Sequence, residues 1–157
     1  MRTGIGIDSH RFVPDRRLVL GGVEIPYELG LAGHSDADVL THAIIDALLG
    51  AAGLGDIGQH FPDTDERWRG ADSIDLLRLA CGIVANEDLR VVNVDATIVL
   101  EAPKIGPHRH AMRERLAEAL GVPTRRVNVK ATTGEGMGFV GRGEGAAAMA
   151  VAMLEGA

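Results

Sequence analysis

Asp8 and His10 stand two residues apart in a stretch that alternates through Ile5 and Ile7. In an extended chain that spacing sends both side chains to the same face. A third candidate, His42, lies about one turn into an apolar helical pattern. Two imidazoles and one carboxylate with an open fourth position make the ligand set of a catalytic zinc site. The same residues would equally form a strand-end Asp–His pair and a solvated helix histidine, because spacing alone does not bring strand and helix together.

A second group surrounds the start of that helix. His34-Ser35-Asp36-Ala37-Asp38 closes a glycine-rich loop, and Ser35 with Asp38 reads as a capping pair for a helix from Asp36 to about Gly50. Val39, Leu40, Ala43, Ile44, Ala47 and Leu48 recur at helical spacing as its buried stripe, while Asp38, His42 and Asp46 sit four apart on another. The helix start can receive phosphate, or His34-Ser35 is an ordinary cap beside an exposed histidine.

Further along, Asp56-Ile57-Gly58 and Phe61-Pro62-Asp63-Thr64-Asp65 offer carboxylates and backbone groups suited to sugar hydroxyls, or are simply turns. Thr132-Thr133-Gly134-Glu135 ends a strand, where α/β folds gather ligands. Its hydroxyls suit phosphate oxygens and its carboxylate suits magnesium; the plain alternative is a threonine-rich strand end with an exposed glutamate. Gly141-Arg142-Gly143-Glu144-Gly145 is a buried ion pair, a phosphate clamp or a turn.

These residues need a scaffold. Strands are expected over 3–12, over 17–25 as a pair or bent hairpin around Gly21-Gly22, and over 91–100 and 127–133. Helices are expected over 36–50, after Asp72 or Ser73 with Ile74, Leu77, Ala80 and Cys81 sharing a face, and over 108–120 before Gly121. Segments 26–33, 55–70 and 134–145 read as loops. Strands interleaved with helices indicate α/β architecture, here one domain over 1–157. The apolar run 146–154 favours helix by propensity but would also serve as a strand buried on both faces.

Composition narrows the partners. A formal charge of −6 argues against a nucleic-acid or anionic-membrane surface. One cysteine cannot form an intramolecular disulfide, and no secretory or membrane-spanning pattern is read, so the expected location is cytoplasmic. Gly53-x-Gly55-x-x-Gly58 follows a helix rather than a strand, so it is not a dinucleotide fingerprint. Cys81 reads as core, and neither Ser9 nor Ser35 sits in a nucleophile elbow.

Taken in order, these segments resemble one family, the 2-C-methyl-D-erythritol 2,4-cyclodiphosphate synthases of the non-mevalonate isoprenoid pathway. The resemblance rests on Asp8-x-His10, Gly21-Gly22-Val23-x-Ile25-Pro26, His34-Ser35-Asp36-x-Asp38 and Ala43-x-x-Asp46-Ala47-Leu48-Leu49-Gly50. It continues through Gly55-Asp56-Ile57-Gly58, Phe61 to Asp65, Asn128-Val129-Lys130-Ala131-Thr132-Thr133 and Gly138-Phe139-x-Gly141-Arg142-Gly143-Glu144-Gly145, and so covers essentially the whole chain. One departure is Gly134, where many relatives carry a third threonine.

The resemblance implies a mixed sheet covered by helices on one face, with the sheets packed inward in a homotrimer and active sites between subunits. It makes 146–154 a strand along the trimer axis, with Ala148 or Ala150 facing that axis and Arg142 and Glu144 near one end. Asp8, His10 and His42 would hold zinc or another divalent transition metal, and Glu135 magnesium or manganese. His34 and Thr133 would stabilise the transition state. Ser9, Ser35, Asp56 to Gly58 and Phe61 to Asp65 would contact substrate. Leu100, Glu101, Ala102, Pro103, Lys104, Ile105, Gly106 and Thr132 would line a cytidine side, and Gly134, Phe139 and Arg142 would be further substrate contacts. The implied reaction is cyclisation of a cytidine diphosphate-linked substrate with release of CMP. A zinc-dependent phosphoesterase would instead give linear products, and a trimeric nucleotide or prenyl-phosphate binder would give no turnover.

Overall fold

Small residues on one side of the first strand decide how the layers meet. The computed structural model describes residues 1–157. Its first strand, β1, spans Arg2–Val13, followed by the short strands β2 (Leu18–Leu20), β3 (Val23–Ile25) and β4 (Gly30–Leu31). Helices α1 (Val39–Ala52), α2 (Ile57–His60) and α3 (Ser73–Ala85) precede β5 (Leu89–Val99). Helix α4 (Arg109–Leu120), β6 (Val127–Thr132), α5 (Gly138–Gly141) and β7 (Gly145–Gly156) complete the chain.

The main sheet runs β4-β1-β7-β5-β6, with β2 and β3 forming a separate hairpin. Only β5 and β6 pair in parallel, so the sheet is mixed, as expected. Helix α1 packs on β1 and β7, α3 on β5 and α4 on β6, all on one face. On β1 that face carries Gly4 and Gly6, and a Cβ on either would overlap the backbone of Ala47 or Ala43 in α1. The missing side chains let helix and strand touch directly, which sets the helix at the depth that matters for the site.

Helix α1 begins later than the 36–50 expectation. Ala37 has φ +57°, in the left-handed region, so helical geometry cannot include it. The cap is Asp38, whose carboxylate accepts from the Thr41 amide at 3.0 Å. Ser35 instead accepts from the Ala37 amide at 3.2 Å and does not cap. Asp38 also accepts from the amides of Gly21 (2.9 Å) and Gly22 (2.7 Å), pinning the hairpin turn, and is fully buried. Burial and the nearby Asp36 carboxylate push its pKa up. A carboxylate therefore occupies the cap position of the helix. Nor is α1 buried on a single stripe: only Asp46 and Gly50 escape full burial, as for a helix enclosed on all sides.

The 146–154 run is strand, as the resemblance implied and against its propensity. Pairing within the sheet on both edges satisfies its backbone, and its alanines suit the close approach of α1. Ala146, Ala148, Ala150, Ala152 and Leu154 all face the helices and are buried. The expectation that Ala148 or Ala150 faces a trimer axis is therefore corrected. The other face presents Met149 and Val151, each 45% exposed, beside Ile5 and Ile7 of β1 at 64% and 62%. No helix is long and apolar enough to cross a membrane.

Candidate active site and metal centre

The contact of α1 with β1 brings His42 against the end of the strand. Asp8 Oδ2 lies 2.9 Å from His10 Nε2 and 3.2 Å from His42 Nδ1, and the two ring nitrogens are 3.4 Å apart. Bonds of about 2.0–2.1 Å to a tetrahedral ion put ligand atoms roughly 3.3 Å apart, so this triangle matches one face of such a tetrahedron. The donor types also fit a divalent transition metal. They are the one group of three such side chains close enough to share an ion.

The far nitrogens are held as well. His10 Nδ1 lies 2.7 Å from the Ala32 carbonyl, which can only accept, so in the neutral ring Nδ1 carries the proton and Nε2 presents its lone pair. Burial raises the pKa of Asp8, but hydrogen bonds and charge from His10 and His42 outweigh it and hold the acid at about 2. Burial lowers that of His10, yet the Asp8 carboxylate overcomes it and leaves the imidazole more basic than usual.

The triangle opens into a cavity of about 360 Å³. His34, Ser35, Ile57, Gly58, Phe61, Pro62 and Asp63 line it. The His34 segment is fixed on every carbonyl. Arg16 donates to Gly33 O and Ser35 O, each at 2.7 Å, and the Gly70 amide donates to His34 O at 2.8 Å. His34 Nε2 donates to Asp65 O at 2.9 Å, which leaves Nδ1 free. Asp46 accepts from the Ile57 amide at 2.7 Å and so holds the 57–58 wall.

Other expected contacts are spent elsewhere within one chain. Asp56 caps α2 and is exposed, Thr64 is exposed, and the Asp65 carboxylate pairs with Arg67 at 2.6 Å. Ser9 leaves the opposite face of β1 and lines a smaller cavity with Phe139 and Glu144. Arg142 forms an exposed ion pair with Glu144 at 3.0 Å rather than a buried one. Leu100, Glu101, Pro103 to Gly106, Thr132 and Thr133 line a separate cavity of about 270 Å³. Ala102 lies between these residues, and the Gly134 amide donates to Glu101 at the rim. Glu135, at φ +52°, is exposed beside it and accepts from the Thr133 hydroxyl at 3.4 Å.

The two cavities share no lining residue. Ser9, Ala147, Val99 and Thr132 pair in one row across the sheet. Three strand spacings, about 14 Å, therefore separate the Asp8–His10 end from the Thr132–Thr133 end.

The YgbB family model matches residues 1–155. The chain belongs to the YgbB family. It is 64% identical over 156 residues to a protein of Symbiobacterium thermophilum named 2-C-methyl-D-erythritol 2,4-cyclodiphosphate synthase, covering 99% of each chain. Among solved structures, the bifunctional IspDF from Campylobacter jejuni gives a TM-score of 0.96 at 43% identity, over 99% of this chain and 42% of that longer one. A 2C-methyl-D-erythritol-2,4-cyclodiphosphate synthase in a CDP-bound form gives 0.90 at 41% identity, over 98% of this chain and 100% of that one.

In this YgbB-family chain several site residues carried little sequence signal. Trp68 and Leu76 line the cavity beside Asp8, His10 and His42, and Trp68 packs edge-on to Phe61 at 5.1 Å between centroids. A lone tryptophan in a turn-rich acidic loop was the available clue. Arg16 and Ser73 carried none beyond loop and cap composition. Cys81, expected in the core, is mostly buried, and burial pushes its thiol up to about 11, far from a reactive thiolate.

Proposed function

We propose that the chain cyclises 4-diphosphocytidyl-2-C-methyl-D-erythritol 2-phosphate to 2-C-methyl-D-erythritol 2,4-cyclodiphosphate with release of CMP. The observation that carries the reading is the Asp8–His10–His42 triangle, open toward a cavity walled by His34 and Ser35. An oxygen of the 2-phosphate attacks the β-phosphorus, and the bond from that phosphorus to the bridging oxygen breaks. CMP leaves with the electron pair. The nucleophile belongs to the substrate, which agrees with a mostly buried thiol and with a Ser35 hydroxyl engaged in hydrogen bonds.

Asp8, His10 and His42 would hold zinc or a similar ion, and Glu135 magnesium or manganese. Glu135 alone is no cage, but magnesium is commonly held by one or two carboxylates together with substrate phosphates. Bound there, the two cations would supply positive charge to the phosphoryl oxygens as the bond order shifts. His34 and Thr133 are assigned to stabilise the same oxygens, with Arg16 and Asp65 orienting His34 in advance. The 56–58 and 61–65 segments are assigned to the sugar, and the 100–106 segment with Thr132 to cytidine.

His34 and Thr133 lie in separate cavities, so their joint action calls for two chains. A homotrimer with sites between neighbours meets that need, and the apolar face of Ile5, Ile7, Met149 and Val151 supports it. Phosphorus NMR of the product tests the function. A cyclic diphosphate plus CMP is expected. Linear hydrolysed phosphates would establish a phosphoesterase, and unchanged substrate a binder.

A further inference from the structure

We propose that Ser73 and Asp36 are positioning residues for the metal centre, joined to His42 as a directional hydrogen-bond relay. The inference rests on the metal reading above and extends it beyond the ligands. His42 Nε2 lies 2.8 Å from Ser73 Oγ. The Ser73 hydroxyl bonds in turn to Asp36 Oδ1, and Asp36 Oδ2 accepts from the Ser73 amide at 3.0 Å. Ser73 is completely buried.

The direction of the relay follows from donor counting. A hydroxyl has one proton, and an ionised carboxylate can only accept. Ser73 therefore donates its hydrogen bond to Asp36 and turns a lone pair toward His42. His42 Nε2 must then carry the ring proton of the neutral imidazole, which leaves the Nδ1 lone pair facing Asp8 and His10. Ser35 Oγ also lies near His42 Nε2, at 3.2 Å, but its proton has no partner that forces a direction. Asp36 thus selects the tautomer of His42 from two bonds away. The carboxylate also polarises the ring through Ser73, making Nδ1 a better donor to a cation.

The relay joins two elements distant in sequence. Asp36 precedes α1, whereas Ser73 is the first residue of α3, so the packing of those helices and the tuning of the ligand are one arrangement.

Cobalt(II), whose visible absorption reports ligand geometry, is the probe for the metal-stripped protein. Wild type should take one cobalt per chain, and His42→Ala should take none. Ser73→Ala should bind roughly 10–100-fold more weakly, with an altered visible spectrum and unchanged far-UV circular dichroism. Asp36→Asn keeps the shape and removes the charge, and should give a smaller loss in the same direction; it also decides the matter if Ser73→Ala does not fold. Wild-type affinity and spectrum in a folded Ser73 or Asp36 variant would overturn the relay and leave the metal reading standing. No cobalt in wild type, or full cobalt in His42→Ala, would overturn both.

Discussion

Gly6 of β1 lies against the carbonyl of Ala43 in α1, so close that a Cβ on Gly6 would penetrate the oxygen. Two residues along the strand is Asp8, and one residue back along the helix is His42. The contact that sets the spacing of the layers therefore sets the Asp8–His10–His42 triangle.

Gly6→Ala should force α1 off the sheet and separate His42 from Asp8. A cost of about 1–3 kcal/mol is expected for overpacking, together with loss of bound zinc. Gly50→Ala is the control, since its Cβ would meet nothing nearer than Ile5 O at 3.8 Å. Replacing that helical glycine should stabilise by about 0.5–1 kcal/mol. Thermal unfolding and metal content of both variants check the pair, and equal melting temperatures would refute the argument.

Metal uptake should weaken in acid. A proton on His10 competes with the ion, and Asp8 holds that proton more firmly than usual. In the metal-free chain the raised pKa of His10 stabilises the fold fully below its unfolded value, and the gain is lost as pH rises through the folded value. Asp8 acts oppositely: its contribution is present above its unfolded pKa and fades as pH falls toward about 2. The rise in melting temperature on adding zinc should therefore grow between about pH 5.5 and pH 8, the window set by an imidazole and not a carboxylate. Scanning calorimetry with and without zinc measures it; an equal rise at both ends would contradict the assigned protons.

Glu135→Gln should shift the magnesium dependence of turnover to higher concentration while zinc content stays constant. The amide preserves shape but loses the charge that a hard cation prefers. Steady-state rates across a magnesium titration are the readout, and a superimposable titration would move the second ion elsewhere.

Parity along β7 separates assembly from folding. Val151 is on the open face and Ala150 beneath α1. Val151→Asp should leave a folded chain that no longer associates, because a charge would sit where apolar side chains meet. Ala150→Asp should prevent folding, since an unpaired buried carboxylate costs several kcal/mol. Light scattering and circular dichroism on both distinguish the two effects, and a trimeric Val151→Asp would place the interface on another surface.

Periodicity made the elements themselves readable. The long helix, the Gly21-Gly22 hairpin and the strands around Val94 and Val129 stand near where apolar spacing puts them. Asp8, His10 and His42 were legible as residue types, but their meeting depends on Gly4 and Gly6, which in one dimension look only like weak strand formers. The cap at Asp38 was hidden because Ser35, three residues earlier, satisfies the same local pattern; the left-handed Ala37 decides between them. Ser73 has helix-start composition, and its second bond to His42 spans 31 positions of sequence. Composition could not assign the faces of β7, because alanine and methionine suit either side until α1 occupies one.

The roughly 14 Å between the two ends of the sheet also has a genetic meaning. If each working centre takes its His42 side from one chain and its Thr133 side from the next, two different dead alleles need not be dead together. Mixing His42→Ala chains with Thr133→Ala chains would regenerate some centres in which both halves are intact. Activity should then reappear on co-expression, although neither variant alone has any. An enzyme whose halves lay in one chain would show no such mutual rescue.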